Sequence, residues 1–324
     1  MMDLARRWWP WSLLRKTVAF SVDQPPGEPL SRKSFPIWVD APAYDPLSGG
    51  TRAMNLLCHH LNRLGYDAFI IDEPAKSNAP VPLRYLTRSI IREQERQRRE
   101  PIVIYPEVVF ENPRKARFVV RFLLNRPGFF KPGAELSYGK DDYFIDHARE
   151  HAPTGARSFD LFMPLVDRSY YFTPPSGSPR DGFVVFTNRA SVDPGSFPTW
   201  LTPYTVLSIK SPISHAALGE LYRRSRAMVV FERSIAIFEA LLCGCPVIGI
   251  GNDNFNEATY HPRFRDAGLV WGWHEQRLDA AADQTSRFRS AYDDLEASFD
   301  ARVQSAFDWI MSDVWRRAQD TRRT

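Results

Sequence analysis

Residues 227–250 read Ala227-Met228-Val229-Val230-Phe231-Glu232-Arg233-Ser234-Ile235-Ala236-Ile237-Phe238-Glu239-Ala240-Leu241-Leu242-Cys243-Gly244-Cys245-Pro246-Val247-Ile248-Gly249-Ile250. The first five residues form a short apolar run rich in valine, which predicts a buried strand. A polar break follows at Glu232 to Ser234, and the run from Ile235 to Cys243 then predicts a helix. Gly244 ends that helix, as a glycine past the last turn commonly does. Pro246 opens a second strand that reaches Ile250. Strand, helix and strand in such close succession predict a parallel sheet with helices on its faces.

The same alternation extends outward in both directions. Downstream of 180, strands are expected at Phe183–Phe186 and Tyr204–Ile209, with a helix at Ala216–Arg224. In the first half, strands are expected at Phe35–Asp40, Asp67–Ile71 and Ile102–Tyr105. Ala53, Leu57, Leu61 and Leu64 make a helical stripe that Gly65 stops. A basic helix is expected over Leu83–Arg99, and Arg114–Leu124 reads as a further helix, although period alone does not separate it from a strand. Phe288, Tyr292, Leu295, Phe299, Val303, Ala306, Ile310 and Val314 recur every three or four residues, as in one long amphipathic helix or a broken pair. Between the halves, Pro164 to Gly182 has the composition of a linker. The expected fold class is therefore α/β, with two doubly wound Rossmann-like domains facing a cleft. Ligands of such sheets bind beyond the carboxyl ends of the strands.

Composition narrows the function classes. The chain has 324 residues, 44% apolar and 25% charged, which suits two globular domains. Its 42 basic and 38 acidic side chains leave a net charge of +4. That bias favours phosphates or an anionic surface, but it is too small and too dispersed for a nucleic-acid partner. Three cysteines, Cys58, Cys243 and Cys245, give no disulfide framework, and Cys243-Gly-Cys245 lacks the second ligand pair of a zinc site. The two read as small apolar residues beside a helix end. No apolar run reaches the roughly 20 residues needed to span a bilayer. Arg6-Arg7-Trp8-Trp9-Pro10-Trp11 through Arg15-Lys16 mixes cations and indoles, a composition suited to peripheral contact with a membrane interface. It does not read as a signal peptide. The expected location is cytoplasmic, with loose attachment at the inner face of the membrane.

Several side chains are placed to carry chemistry. Glu232 closes a strand, and Glu239 lies near the start of the next helix. Ser234 and Ile235 open that helix, where backbone N–H groups and a partial positive charge can meet a phosphate. Tyr44-Asp45-Pro46-Leu47-Ser48-Gly49-Gly50 lies between the first strand and first helix, and its glycine pair permits close approach to a ligand. Glu107 closes a strand within Tyr105-Pro106-Glu107, and Asn112 reads as a helix cap.

The run Glu239-Ala240-Leu241-Leu242-Cys243-Gly244-Cys245-Pro246-Val247-Ile248 resembles the E-A-x-x-C-G-x-P-V-I hallmark of retaining GT-B glycosyltransferases of the family-4-like group. Six residues separate Glu232 from Glu239, where the common family pattern has seven. The shorter spacing is similar to that of bacterial members that attach sugars to surface polysaccharides. The resemblance is strongest over residues 215–255, moderate over 36–66 and 101–128, and faint elsewhere.

What the resemblance implies is specific. A nucleotide-sugar would be the donor, its ribose held by Glu239 and its sugar or phosphates faced by Glu232. The loop at Ser48, Gly49 and Gly50 would lie under the diphosphate, and Glu107 would stand on the acceptor side. The family places an arginine after the first strand of the second domain and a lysine about five residues later, to neutralise the leaving diphosphate. Arg189 fits the arginine; Pro194 stands where the lysine would be, and Lys210 would substitute. No Asp-x-Asp triplet occurs, so metal-independent transfer of a hexosyl or deoxyhexosyl group is expected, without a cofactor. The acceptor would be a saccharide or lipid-linked saccharide. Residues 1–170 would form the acceptor-side domain, 171–290 the nucleotide-sugar domain, and 291–324 a helix packing back across both. The rivals are a non-catalytic nucleotide-sugar-binding subunit of another transferase, motivated by the missing lysine, and a nucleotide-sugar epimerase.

Overall fold

The computed structural model describes residues 31–46, 48–71, 79–129, 132–133, 137–147, 151–187, 192–208, 213–253, 255–258, 260 and 262–323. Two compact units divide the chain. One comprises Met1–Pro46, Gly50–Leu161 and Ala301–Thr324, the other Leu47–Gly49 and Phe162–Asp300. The division at Leu161 falls just ahead of the proline-rich stretch that begins at Pro164.

The first unit is built on six parallel strands: β1 (Ile37–Val39), β2 (Ala68–Ile70), β3 (Ile102–Pro106), β4 (Phe118–Leu123), β5 (Tyr143–Asp146) and β6 (Arg157–Asp160). Their order across the sheet is β2-β1-β3-β4-β5-β6. Every residue of β1 to β5 is buried, so β1, β2 and β3 read as apolar runs without alternation, while β4 and β5 also bury Arg121 and Asp146. Helix α1 (Gly49–Arg63) follows β1. Helix α2 (Arg88–Arg96) begins at Thr87, whose hydroxyl accepts from Ile90 N at 3.3 Å. The expected helix over Leu83–Arg99 starts later because Tyr85 bridges to Ile70 in an extended conformation.

The helix expected over Arg114–Leu124 is not there. Its apolar part is β4, enclosed between β3 and β5 and hydrogen-bonded to both. Phe118-Val119-Val120 is aromatic and β-branched, a composition that packs well on a pleated surface. Pairing with two neighbours overrode an ambiguous period. Asn112 accordingly caps no helix. Its Oδ1 accepts from Ala116 N at 3.0 Å and its Nδ2 donates to Ala116 O at 2.7 Å, closing the turn that leads into β4.

The second unit holds five parallel strands: β7 (Phe183–Phe186), β8 (Tyr204–Leu207), β9 (Ala227–Val230), β10 (Val247–Gly249) and β11 (Leu269–Trp271). Their order is β11-β10-β9-β7-β8. Helix α3 (His215–Arg224) is capped by Ser214, and α4 (Ala236–Leu242) joins β9 to β10. At the end of α4, Gly244 N donates to Leu241 O and Cys245 N to Ala240 O, each at 3.0 Å, with Gly244 at φ +69°. That pair of hydrogen bonds and the left-handed glycine make a Schellman stop. Cys243 and Cys245 are buried free thiols, each pushed up to about 12 by burial. They pack as small apolar residues.

Among residues 192–203, the crossover from β7 to β8 forms only the 3-10 turn Pro194–Ser196. Where a crossover helix would cover the sheet, aromatic rings do so instead. Phe197 stacks on Phe231 at 6.4 Å, and Trp200 meets Phe183 at 5.7 Å and Trp273 at 6.3 Å. The C-terminal stripe resolves as one helix, α5 (Leu278–Arg323), and all eight stripe residues are buried.

Both sheets share a feature that positions a site. In each, the chain runs from the first strand to an outer neighbour and then returns to the other side, so the strand order reverses between first and third strands. This reversal lies between β1 and β3 in one unit and between β7 and β9 in the other. Such a switch point opens a crevice at the carboxyl ends.

Candidate functional site

In the second unit, the β7/β9 switch point is bordered by the segment that follows β9. Glu232 comes two residues after the strand, half-buried, and its Oε1 is shielded from solvent with no hydrogen-bond partner among the described residues. Glu239 sits in the first turn of α4 with 3% of its surface exposed. Its negative charge adds to the burial that pushes the Tyr222 phenol up. A buried carboxylate is costly to desolvate, and the amino end of a helix offsets part of that cost.

Ser234 and Ile235 lie at the amino end of α4 as expected, but their neighbourhood is already engaged. Ser234 Oγ accepts from Ala236 N at 3.2 Å, Ser234 O accepts from Ile237 N at 3.3 Å, and Ile235 O accepts from Phe238 N and Glu239 N. The amides of residues 236 to 239 are thereby used within the chain. Arg189 and Lys210, the expected diphosphate cations, lie outside the described residues.

In the first unit, the β1/β3 switch point gathers Gly50 and Glu107. Glu107 follows β3 directly, is 6% exposed, and accepts from Leu124 N through Oε2 at 3.2 Å. A Cβ built on Gly50 would meet only Leu124 Cδ1, at 4.0 Å, and one on Gly49 would meet nothing. Both glycines open α1 rather than the preceding turn, and neither has a positive φ. The chain's own packing therefore does not demand glycine at 49 or 50. Ser48 precedes the helix. Nearby, Arg114 Nε pairs with Asp40 Oδ2 at 3.0 Å, just past the end of β1.

Burial raises the Glu107 carboxyl to about 7, against the opposing pull of hydrogen bonds from its own amide and that of Leu124. The folded chain thus keeps this proton up to about pH 7, while the unfolded chain releases it near the ordinary 4.5. Between those values the folded state binds more protons, so stability falls as pH rises and levels off above about 7. Glu107→Gln removes that slope. Relative to wild type, the variant should gain up to about 3 kcal/mol between pH 4 and pH 8, read from urea unfolding at both. A difference that does not change with pH would show that Glu107 titrates normally.

Sequence reasoning missed two groups here. Asp146, at the end of β5, accepts from His151 N at 2.7 Å and Ala152 N at 2.9 Å, and faces His151 Nδ1 at 3.5 Å. Arg233, between Glu232 and Ser234, is exposed. No periodicity marks either group; Asp146 is set by the end of β5 and Arg233 by the segment after β9. Among the described residues, no group of three or more His, Cys, Asp or Glu side chains could hold a metal ion.

No protein-family model and no curated protein matches the chain. Similar solved structures do exist. WaaG, a glycosyltransferase involved in lipopolysaccharide biosynthesis, aligns at 11% identity over 85% of this chain and 99% of its own, with a TM-score of 0.45. The glycotransferase of kitacinnamycin aligns at 10% identity over 89% and 100%, with a TM-score of 0.43. T4 phage BGT, in complex with UDP and Mn2+, aligns at 11% identity over 85% and 98%, with a TM-score of 0.42.

Proposed function

We propose that this chain is a glycosyltransferase that moves a hexosyl or deoxyhexosyl group from a nucleotide-sugar to a saccharide or lipid-linked saccharide, with retention and without a metal. The observation that carries the reading is the placement of Glu232 and Glu239 on either side of the β9–α4 segment, at the β7/β9 switch point. The E-A-x-x-C-G-x-P-V-I run opens on Glu239, and Glu232 stands seven positions ahead of it.

In this reading Glu239 accepts hydrogen bonds from the donor ribose, and Glu232 uses Oε1, unpartnered among the described residues, for a sugar hydroxyl. Bond cleavage leaves charge on the diphosphate, and cations must meet it there; Arg189 and Lys210 are candidates. Glu107, protonated or charged near neutral pH, stands where an acceptor hydroxyl needs a hydrogen-bond partner. The openness around Gly49 and Gly50 leaves room for the donor or acceptor to lie against the backbone. Trp8, Trp9 and Trp11 with the flanking cations, which lie outside the described residues, would hold the protein loosely at the inner face of a membrane.

The test is a panel of UDP-, GDP- and dTDP-sugars incubated with purified protein, with and without a mixture of saccharide acceptors, scored by nucleotide release. Release from one donor, stimulated by acceptor, is the expected result. Tight diphosphate binding without release from any donor would instead mark a non-catalytic nucleotide-binding subunit.

A further inference from the structure

An open sheet leaves a row of unpaired backbone groups at each edge, and the chain deals with three of its four edges itself. Residues 84–86 cover the outer edge of β2: Ile70 N donates to Arg84 O and Leu86 N to Ile70 O, each at 2.8 Å. β6 is charged, with Arg157 and Asp160, and Asp160 pairs with Arg302 at 3.1 Å. In β11, Leu269 and Val270 are buried. Among the described residues, the fourth edge, β8, has no such protection. Its Tyr204, Thr205 and Val206 are uncharged and exposed, Tyr204 to 38% and Val206 to 53%.

The pairing with β7 decides which backbone groups of β8 face outward. Phe183 N donates to Pro203 O and Thr187 N to Leu207 O, both at 2.9 Å, so the odd-numbered residues turn inward. Tyr204 and Val206 alternate with them and turn their N–H and C=O groups to the open edge. Their side chains share the face lined by Phe183 and Val185, where the Tyr204 ring meets Phe197 edge-on at 5.5 Å.

Tyr204-Thr205-Val206 is complementary to itself. With a second copy antiparallel and Thr205 opposite Thr205, each Tyr204 faces the other copy's Val206. Those two residues then exchange N–H···O=C bonds as a hydrogen-bonded pair. Aromatic against β-branched and Thr against Thr are both stabilising cross-strand pairs. No charge lies between Tyr204 and Leu207, so no like charges meet. A slip of one residue would set inward-turned groups against the partner strand and lose the bonds. We propose that β8 is a self-association edge, at which two copies of this chain pair antiparallel about Thr205 and join their second-unit sheets. The inference is independent of the glycosyltransferase reading.

A strand of four residues buries little area, so the expected Kd is roughly 10–100 µM. Sedimentation velocity on the full chain, from roughly 1 to 200 µM, should show wild type passing from monomer to dimer. Val206→Lys should raise the Kd at least about 10-fold, because a lysine blunts a strand edge. Its thermal midpoint should stay close to that of wild type, since residue 206 is half exposed. Thr205→Cys reads the register. A non-hydrogen-bonded antiparallel pair holds its Cα atoms about 4.5 Å apart, within disulfide reach. Mild oxidation should therefore give a covalent dimer of Thr205→Cys. It should give none of wild type, whose cysteines are buried, nor of Ser176→Cys, at an exposed turn. A wild type still monomeric at about 200 µM would overturn the proposal. So would a dimer whose Kd Val206→Lys leaves unchanged, or one in which Thr205→Cys cross-links no faster than Ser176→Cys, since either result places the contact on another surface.

Discussion

Glu239→Ala should lower nucleotide release from the preferred donor by at least about 100-fold in kcat/KM. Two hydrogen bonds from ribose hydroxyls to a carboxylate are each worth about 1.5–3 kcal/mol, and 1.4 kcal/mol is a factor of ten. The loss should appear chiefly in KM, because ribose contacts are made equally in the ground state and the transition state. Glu239 is 3% exposed, so alanine also leaves a void, and a drop in activity alone would be ambiguous. Glu239→Gln removes that ambiguity. It keeps the volume and one acceptor oxygen, and replaces the other with a donor that cannot accept from the sugar. A Glu239→Gln protein with wild-type kcat/KM would remove Glu239 from the donor site and take the main support of the functional reading with it.

A second large effect concerns stability. Asp142→Ala should destabilise the first unit by about 3–5 kcal/mol, because it leaves a buried guanidinium without its counter-charge. Arg121 sits in the middle of β4 at 1% exposure, and its Nε donates to Asp142 Oδ2 at 2.7 Å. Its two other nitrogens donate to Val109 O, at 3.0 Å, and to Glu111 O. The guanidinium also lies over the rings of Tyr105, at 5.1 Å, and Tyr138, at 4.8 Å. Asp142 is fixed in turn by Gly139 N at 3.0 Å, and a Cβ at Gly139 would crowd its Oδ1 to 2.7 Å. A fall in thermal midpoint of about 10 °C or more is the expected readout for a unit of this size. Arg121→Met combined with Asp142→Leu should recover most of the loss, because an apolar pair of similar volume carries no desolvation cost. An Asp142→Ala protein within about 1 kcal/mol of wild type would show that water reaches Arg121. The pair also bears on the site: Val109 and Glu111 follow Glu107, and Tyr138 Oη donates to Glu107 O at 2.8 Å. The shape of the chain beyond β3 therefore depends on a cation two strands' width of sheet has swallowed.

Local chemistry was enough for much of the fold. The βαβ run from Ala227 to Ile250, the Gly244 stop and the eight-residue stripe of α5 were all legible, because each is set by contacts within a few residues or by one period. The two glutamates of the β9–α4 segment were legible for the same reason. What the sequence left open, or led to wrongly, depends on neighbours far along the chain. Phe118 to Leu123 is apolar enough for a helix or a strand, and β3 and β5 on either side decided for a strand. Gly49 and Gly50 became the first turn of α1 instead of the turn before it. Glu107 holds its proton to about pH 7 only because surrounding chain excludes water from its carboxyl. Asn252 Nδ2 reaches Phe231 O only when β9 and β10 pair and their following loops meet. Hydrophobic period and turn residues are local and can be read from one chain, whereas strand order, burial and the field at a crevice are sums over distant groups, which exist only in the folded molecule.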